Sequence, residues 1–351
     1  MPKTRQRLTR IMAKGLTTAR WQDSRNELGT TTIQLLAGDV GGTKSWLAWV
    51  ELAWQQPART VFEQRYASQD FPDAVSLLRQ FIQDTGRGLP DRMCLAMPGP
   101  VEDGRVTLTN LDWQVDAADL SSQLAIPDVR LINDFQAAAA GVETLRKTDW
   151  RVINPGLPRL GATRVITGAG TGLGVAWMQS LGSGEWKVYA SEGGHVDFAP
   201  ADERQAKLLA WLVQRYPEHV SWERLLSGNG LSTIHAWLAG QLAGDAMLPA
   251  EKIHAAALAG EPVATAAIEM FCDIYAAWTG NLAVTFQPQG GLFLAGGMGI
   301  HLQDWIMTSR FRAIMVSKGR MSPLVGATPV YLVTNPRLGL QGAILSGHNS
   351  G

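Results

Sequence analysis

Two glycine clusters and a handful of acids are the residues of this chain best suited to chemistry. Gly38-Asp39-Val40-Gly41-Gly42-Thr43 follows the apolar run TIQLLA, and Gly168-Ala169-Gly170-Thr171-Gly172 follows TRVIT. Backbone N–H groups can crowd around an anion only where no side chain blocks the approach. Glycine also permits the φ > 0 geometry that turns successive N–H groups inward. Both clusters therefore read as phosphate cradles, each with a threonine at a donor position. Neither ends in GK[ST], so neither is a Walker A loop. Each leads into a second apolar run, SWLAWVEL or LGVAWM, rather than a helix, so the dinucleotide fingerprint does not fit either. One such turn alone is an ordinary hairpin tip; two in register, about 130 residues apart, favour phosphate. Asp39 at the first tip is a hard oxygen ligand, suited to Mg²⁺ directly or through water. Its other use is to accept hydrogen bonds from turn amides.

A second set of residues is polar. Asn133-Asp134 follows the apolar VRLI and precedes a helical pattern, a cleft position in an α/β fold, although Asp134 could simply cap the helix. Ser191-Glu192-Gly193-Gly194-His195-Val196-Asp197-Phe198 sets an acid and an imidazole three residues apart around two glycines. His195 meets the same ligand as Glu192 only if the Gly193-Gly194 link turns sharply. By position alone, Glu223 in HVSWERLLSG would be an exposed helix residue. A third glycine cluster, Ala295-Gly296-Gly297-Met298, closes the apolar run Gly291 to Leu294.

Composition bounds the setting. The chain has 351 residues and 38.0 kDa, about two domains at one per roughly 150 residues. With 46% hydrophobic and 18% charged residues it can bury a sizeable core, which excludes disorder throughout. Lys plus Arg and Asp plus Glu both number 31, so there is no basic excess of the kind a general nucleic-acid binder shows. Cys94 and Cys272 cannot form a disulfide framework and make no CxxC pair; they read as free thiols in a reducing compartment. No run of 18 apolar residues predicts a membrane span. Residues 1–31 are basic and acid-poor, without the apolar core of a secretory signal. They read as a disordered leader, or as an overlong start with Met12 the initiator; an organelle transit peptide is the alternative.

The elements that must position these residues alternate between strands and helices. Strands are expected over 32–38, 45–52, 60–67, 93–97 and 129–132. Helices are expected over 72–85, with Pro72 in the first turn, near 116–124 and over 135–145. The GDVGGT–SWLAWV pattern is echoed by GAGTG–LGVAWM, which predicts two related halves whose hairpin tips face one cleft. Residues 202–285 are largely helical by pattern. Among the 13 tryptophans, Trp46, Trp49 and Trp177 read as core, and Trp113 has the best case for lining the cleft.

Eight stretches taken together resemble the bacterial-type glucokinase family, sugar kinases of the actin/hexokinase superfamily. They are LLAGDVGGTKSWLA, LAMPGPVEDGRVTLTNLDW, RLINDFQAAAAGV, ITGAGTGLGVA, SEGGHVDFAP, HVSWERLLSGNGL, FLAGGM and LGLQGAIL, spanning most of 33–345. The related repressor-and-kinase family carries a Cys-rich zinc site after its histidine. Here Val196-Asp197-Phe198 follows His195 with no Cys nearby, so the resemblance is to the zinc-free branch.

The resemblance implies a two-domain, actin/hexokinase-like (ribonuclease H-like) α/β fold with an interdomain cleft. Its small domain would span 32–145, completed by 335–351, and its large domain 146–334. It implies a cytoplasmic, often homodimeric enzyme that phosphorylates D-glucose to glucose 6-phosphate with Mg·ATP, feeding glycolysis. Asp134 would be the general base. Asn110, Asn133, Asp134, Glu192, His195 and Glu223 would bind glucose. Gly38, Asp39, Val40, Gly41, Gly42 and Thr43, with Gly168, Gly170, Thr171 and Gly172, would hold the ATP phosphates. Gly296 and Gly297 would face the adenosine, and Asp39 would serve Mg²⁺. Lys44 stands where many relatives have Asn, which leaves its role open. Two alternatives are a kinase for fructose or mannose and a non-catalytic sugar-sensing regulator; the second lacks room for a helix-turn-helix module.

Overall fold

In a computed structural model of the chain, the residues described are 32–348, apart from 54, 55, 109, 110, 183 and 241–246. The basic leader and Asn110 therefore lie outside the described residues. The run LLAGDV is apolar on both pleat faces because its strand is central and covered on both sides. It forms β1 (Ile33–Val40), which pairs antiparallel with β2 (Lys44–Leu52) and parallel with β4 (Arg92–Met97). With β3 (Arg59–Ala67) and β7 (Asp128–Asn133) the sheet reads β3-β2-β1-β4-β7. A small hairpin, β5 (Arg105–Leu108) and β6 (Trp113–Asp116), lies beside it.

The second half repeats the plan. β9 (Arg164–Ala169), β10 (Leu173–Gly182), β11 (Glu185–Ser191), β12 (Gly291–Ala295) and β13 (Val330–Val333) are ordered β11-β10-β9-β12-β13, and β8 (Trp150–Asn154) adds an antiparallel edge. Five strands in the same order and with the same directions appear twice, so the faint echo between the glycine clusters reflects a duplicated topology. β6, β8 and β11 are not apparent in the sequence because they are short or polar edge pieces. Trp113 belongs to the first core and is 4% exposed, so it does not line a cleft.

Helices α1 (Ala74–Thr85) and α2 (Ala117–Leu124) cover one face of the first sheet. Pro72 lies outside α1, which is capped by Asp73 accepting from the Ser76 N–H. α4 (Glu203–Arg215), α5 (Gly228–Leu238), α6 (Ala250–Leu258) and α7 (Pro262–Phe286) build the second half around α7, whose first residue is the proline that an N1 position favours. Short helices α8 (Gly297–His301), α9 (Gln303–Ile306), α10 (Ser309–Val316) and α11 (Ser322–Gly326) follow β12. Among the described residues no single helix is long and apolar enough to cross a membrane. Cys94 and Cys272 are buried and unbonded.

The centre of the molecule is α3 (Asp134–Gly141), with α12 (Leu338–His348) laid across it. The α3 sequence, DFQAAAAG, ends four residues earlier than its helical pattern suggests and tightens into a 3₁₀ turn over Val142–Thr144. Its alanines suit a helix covered on several sides. Ala137 packs with Leu340 and Ala343 against the first sheet, whereas Ala138 and Ala139 pack with Ile166, Ala176 and Ala295 of the second. α12 approaches so closely that a Cβ on Gly342 would overlap the Ala137 carbonyl, and one on Gly141 would overlap that of Leu338. Gly→Ala inside a helix ordinarily stabilises by about 1 kcal/mol. At Gly342 the sign should reverse, with a loss of about 1–3 kcal/mol from overpacking. A guanidinium-denaturation midpoint that rises in Gly342→Ala would contradict this packing.

Candidate active site

β1, β4 and β7 run parallel, so their C-terminal ends share one edge: Asp39 stands beside Ala96, and Met97 beside Asn133. This edge is where ligands settle in open α/β sheets. Asn133, not Asp134, is the N-cap of α3. Its Oδ1 accepts from the N–H groups of Phe135 (3.0 Å) and Gln136 (3.1 Å), and its Nδ2 donates to the Gly99 carbonyl at 3.0 Å. Asp134 is thereby released from capping. It accepts the Phe135 N–H at 2.8 Å and stands half-buried at the floor of this sheet edge.

Asp39 shares that floor. The first turn of α12 passes so near that any side chain at Gly339 would strike its carboxylate. Burial pushes the Asp39 carboxyl up to about 6. Asp134 is pushed up to about 7, first by burial and then by the neighbouring charges of Asp39 and Glu192, against the Phe135 N–H. Among the described residues neither carboxyl forms an ion pair with a basic side chain. Two adjoining carboxylates without a cation form an electrostatic hole that a divalent ion would fill.

The first turn, Gly41–Thr43, spends the Gly41 N–H on the Lys44 carbonyl (3.0 Å), and Ser68 Oγ braces the Gly41 carbonyl at 2.6 Å. The second spends the Gly170 N–H on Gly172 O (2.8 Å), and the Gly228 N–H braces the Gly170 carbonyl at 2.9 Å. In both, the next two N–H groups, Gly42 and Thr43 or Thr171 and Gly172, have no partner among the described residues. No glycine of either turn adopts a left-handed φ, contrary to the expectation that φ > 0 is why glycine is there. At Gly172 the reason is space, because a Cβ there would lie 2.5 Å from Glu223 Oε2, whereas one on Gly170 would meet nothing. Gly38 and Val40 sit within β1 rather than in the turn. Gly38 is glycine because Leu47 and Leu95 close over it, and the Val40 side chain is buried in the core. Gly168 likewise lies in β9, against the Ala295 carbonyl. Gly296 does have positive φ (89°), and a Cβ there would stand 2.6 Å from the Ala169 carbonyl; Gly297 is exposed beside it. The third glycine cluster thus lies next to the second turn.

The remaining acids converge as well. Gly193–His195 forms a 3₁₀ turn, the sharp link that His195 needs, and the Gly194 backbone presses on the Leu173 carbonyl. His195 Nε2 then lies 3.8 Å from Glu192 Oε2 and 3.9 Å from Glu223 Oε1. Glu223 is not on an exposed helix. It sits half-buried in a 3₁₀ turn, its Oε2 accepting the Leu173 N–H at 2.9 Å. One carboxylate therefore touches both the polar cluster and the end of the second glycine turn. Ser68 supports the site from outside every quoted stretch, whereas Gly228 and Gly339 lie within HVSWERLLSGNGL and LGLQGAIL without being singled out there; their contacts come from chain segments remote in sequence.

The sheet that appears twice, each copy with a glycine-rich hairpin turn, is the plan of the actin/hexokinase-like sugar-kinase fold. The family model described as Glucokinase matches residues 36–350, and the chain belongs to that family. It is 36% identical over 339 residues to the glucokinase of Nostoc punctiforme, covering 89% of this chain and 98% of that one. The crystal structure of a glucokinase from an Antarctic psychrotroph superposes with a TM-score of 0.77 at 32% identity, covering 91% of this chain and all of the other. A ROK family glucokinase from Streptomyces griseus, crystallised with glucose and AMPPNP, shares the fold at TM-score 0.59 and 21% identity, over 88% of this chain and 97% of that one.

The raised carboxyls make a stability prediction. An acid whose folded pKa exceeds its unfolded value of 3.8 binds its proton more tightly when folded. Stability is then lost as pH rises from about 4 through the folded value. Asp39→Asn removes that cost. It should melt above the parent at pH 8, with the gap shrinking toward pH 5. Equal melting temperatures at pH 8 would contradict the burial assigned to Asp39.

Proposed function

We propose that this chain transfers the γ-phosphoryl group of ATP to the 6-hydroxyl of D-glucose, with Asp134 as the general base. Family membership gives the reaction class. The observation that carries the assignment is the Asp134 carboxyl, freed from capping by Asn133 and pushed up to about 7 at the crevice floor. A base is most effective when its pKa lies near the working pH, because it is then ionised yet still basic enough to take a proton.

In this reading the first sheet with α3 and α12 (32–145 and 335 onward) is one lobe and 146–334 the other. The open N–H groups of Gly42, Thr43, Thr171 and Gly172 hold phosphate oxygens, and Gly296 and Gly297 admit the adenosine. Phosphoryl transfer asks mainly for such positioning and charge stabilisation. Glu192, His195 and Glu223 meet sugar hydroxyls, each charge-assisted contact contributing roughly 1.5–3 kcal/mol. Asn133 has one amide N–H left to offer, and Asn110 is assigned to the sugar by the family resemblance alone.

Among the described residues no group of three metal-ligating side chains exists, so the protein offers few ligands of its own. That fits Mg²⁺, which keeps waters and phosphate oxygens, with Asp39 at its edge directly or through water. When bound it would neutralise charge on the phosphates. The reading extends to a cytoplasmic homodimer on the family resemblance alone; a monomer mass by light scattering would remove the dimer.

A coupled assay tests the core of this. Asp134→Asn should lower kcat by about 10³-fold or more while glucose affinity changes little. In the parent, kcat/KM for glucose should climb with pH to a plateau above about 7, falling about tenfold per unit below it, since the base must be deprotonated. The limb belongs to the coupled Asp134–Asp39 pair. A variant with over a tenth of parental kcat, or a profile flat down to pH 5, would remove Asp134 from this role.

A further inference from the structure

The residue after Asp134 makes a contact that the reaction scheme leaves unused. Along β10, side chains alternate between the two faces of the sheet. Leu173 and Val175 enter the core around α7, whereas Ala176 and Met178 face α3. Gly174 shares that second face, one step nearer the glycine turn, and has no side chain to present there. The Phe135 ring occupies the space. A Cβ on Gly174 would fall inside the ring, overlapping its Cγ, Cδ2 and Cε2 atoms. These are the body of a stiff aromatic, not the flexible end of a long side chain. The Gly174 backbone is itself fixed: it pairs with Gly168, and its carbonyl accepts from Thr167 Oγ1 at 2.8 Å, which in turn accepts from Trp278 Nε1 at 3.1 Å.

At its other end Phe135 is bound into the start of α3. Its N–H is shared between Asn133 Oδ1 and Asp134 Oδ1, so a shift of residue 135 moves the hydrogen bond that holds the Asp134 carboxyl and one of those by which Asn133 caps α3. Asp134 begins α3 directly after β7 of the first sheet, and the second glycine turn stands two residues before Gly174 on the second sheet. The ring spans the gap between them.

We propose that Phe135, seated against the bare backbone of Gly174, is a positioning residue that sets the distance between the Asp134 carboxylate and the second phosphate-holding turn. This rests on Asp134 acting as base and explains how a base on one sheet keeps register with phosphates held by the other. The ring touches neither substrate in this scheme. Its loss should therefore affect the rate of transfer rather than the binding of either partner, because misplacing a reacting group by about 1 Å can cost about 10²-fold.

The test is a double-mutant cycle on the full chain, with Asp134→Asn run alongside. Gly174→Ala should lower kcat by about 10- to 100-fold, with KM for glucose and for ATP each within about threefold of the parent. Phe135→Leu should also lower kcat, by less. Gly174→Ala/Phe135→Leu should recover part of what Gly174→Ala loses, because the leucine vacates the space that the new methyl needs. Glucose titration by tryptophan fluorescence checks that each variant is folded and binds sugar. Losses that simply multiply in the double variant would overturn the proposal, as would Gly174→Ala within twofold of parental kcat or parallel rises in both KM values. Should Gly174→Ala fail to fold, Phe135→Leu and Phe135→Ala decide it: kcat must fall at unchanged KM, and parental kcat in both overturns it. If Asp134→Asn is nearly inactive while these variants are not, only the positioning role fails. If Asp134→Asn stays active, the base assignment fails and the positioning role with it.

Discussion

Two buried acids brought together are the constraint on which the site depends. Asp39 stands one residue before the end of β1 and Asp134 begins α3, and the parallel pairing of β1, β4 and β7 leaves them at one edge. Both carboxyls are pushed upward by burial, and Asp134 further by its neighbour's charge. A protein seldom keeps such a pair unless something else completes it, since an uncompensated buried charge is expensive. Mg²⁺, phosphates and a hydroxyl that gives up its proton would together complete this one. The fold around the pair can be read as the means of holding it open. Asn133 takes over the helix cap, Gly339 leaves the carboxylate room, and α3 is clamped too tightly by α12 to relax.

Much of this was legible in the sequence. The paired hairpins follow from apolar runs broken by glycine, and the duplication from the echo between GDVGGT and GAGTG. The convergence of Glu192, His195 and Glu223 was not readable from position. Glu223 was expected on an exposed helix, and what places it is a hydrogen bond to Leu173, fifty residues away in the chain. It was the family resemblance that pointed to this residue. Asn110 and the basic leader fall outside the described residues, so their expected roles gain nothing from the fold.

The glycines show why the remainder was hidden. A sequence shows that glycine is present but not which of its two properties is in use. No glycine of either turn has a left-handed φ, and at Gly172 the missing side chain is what matters. Gly172 makes room for an acid, Gly174 for an aromatic ring and Gly342 for a carbonyl, each from a distant segment. Such requirements are tertiary and leave no local periodicity. Strands β6, β8 and β11 leave little trace in the sequence for the related reason that they are short or polar edges whose pairing, rather than pattern, defines them.

The account is tested most directly by a crystal structure of the chain with glucose and a non-hydrolysable ATP analogue bound together. It predicts the sugar's 6-hydroxyl within about 2.6–3.2 Å of the Asp134 carboxylate and pointing at the terminal phosphorus, with the Gly42–Thr43 and Thr171–Gly172 amides on the phosphate chain. A 6-hydroxyl turned away from Asp134, or a nucleotide held by only one of the two hairpins, would contradict it.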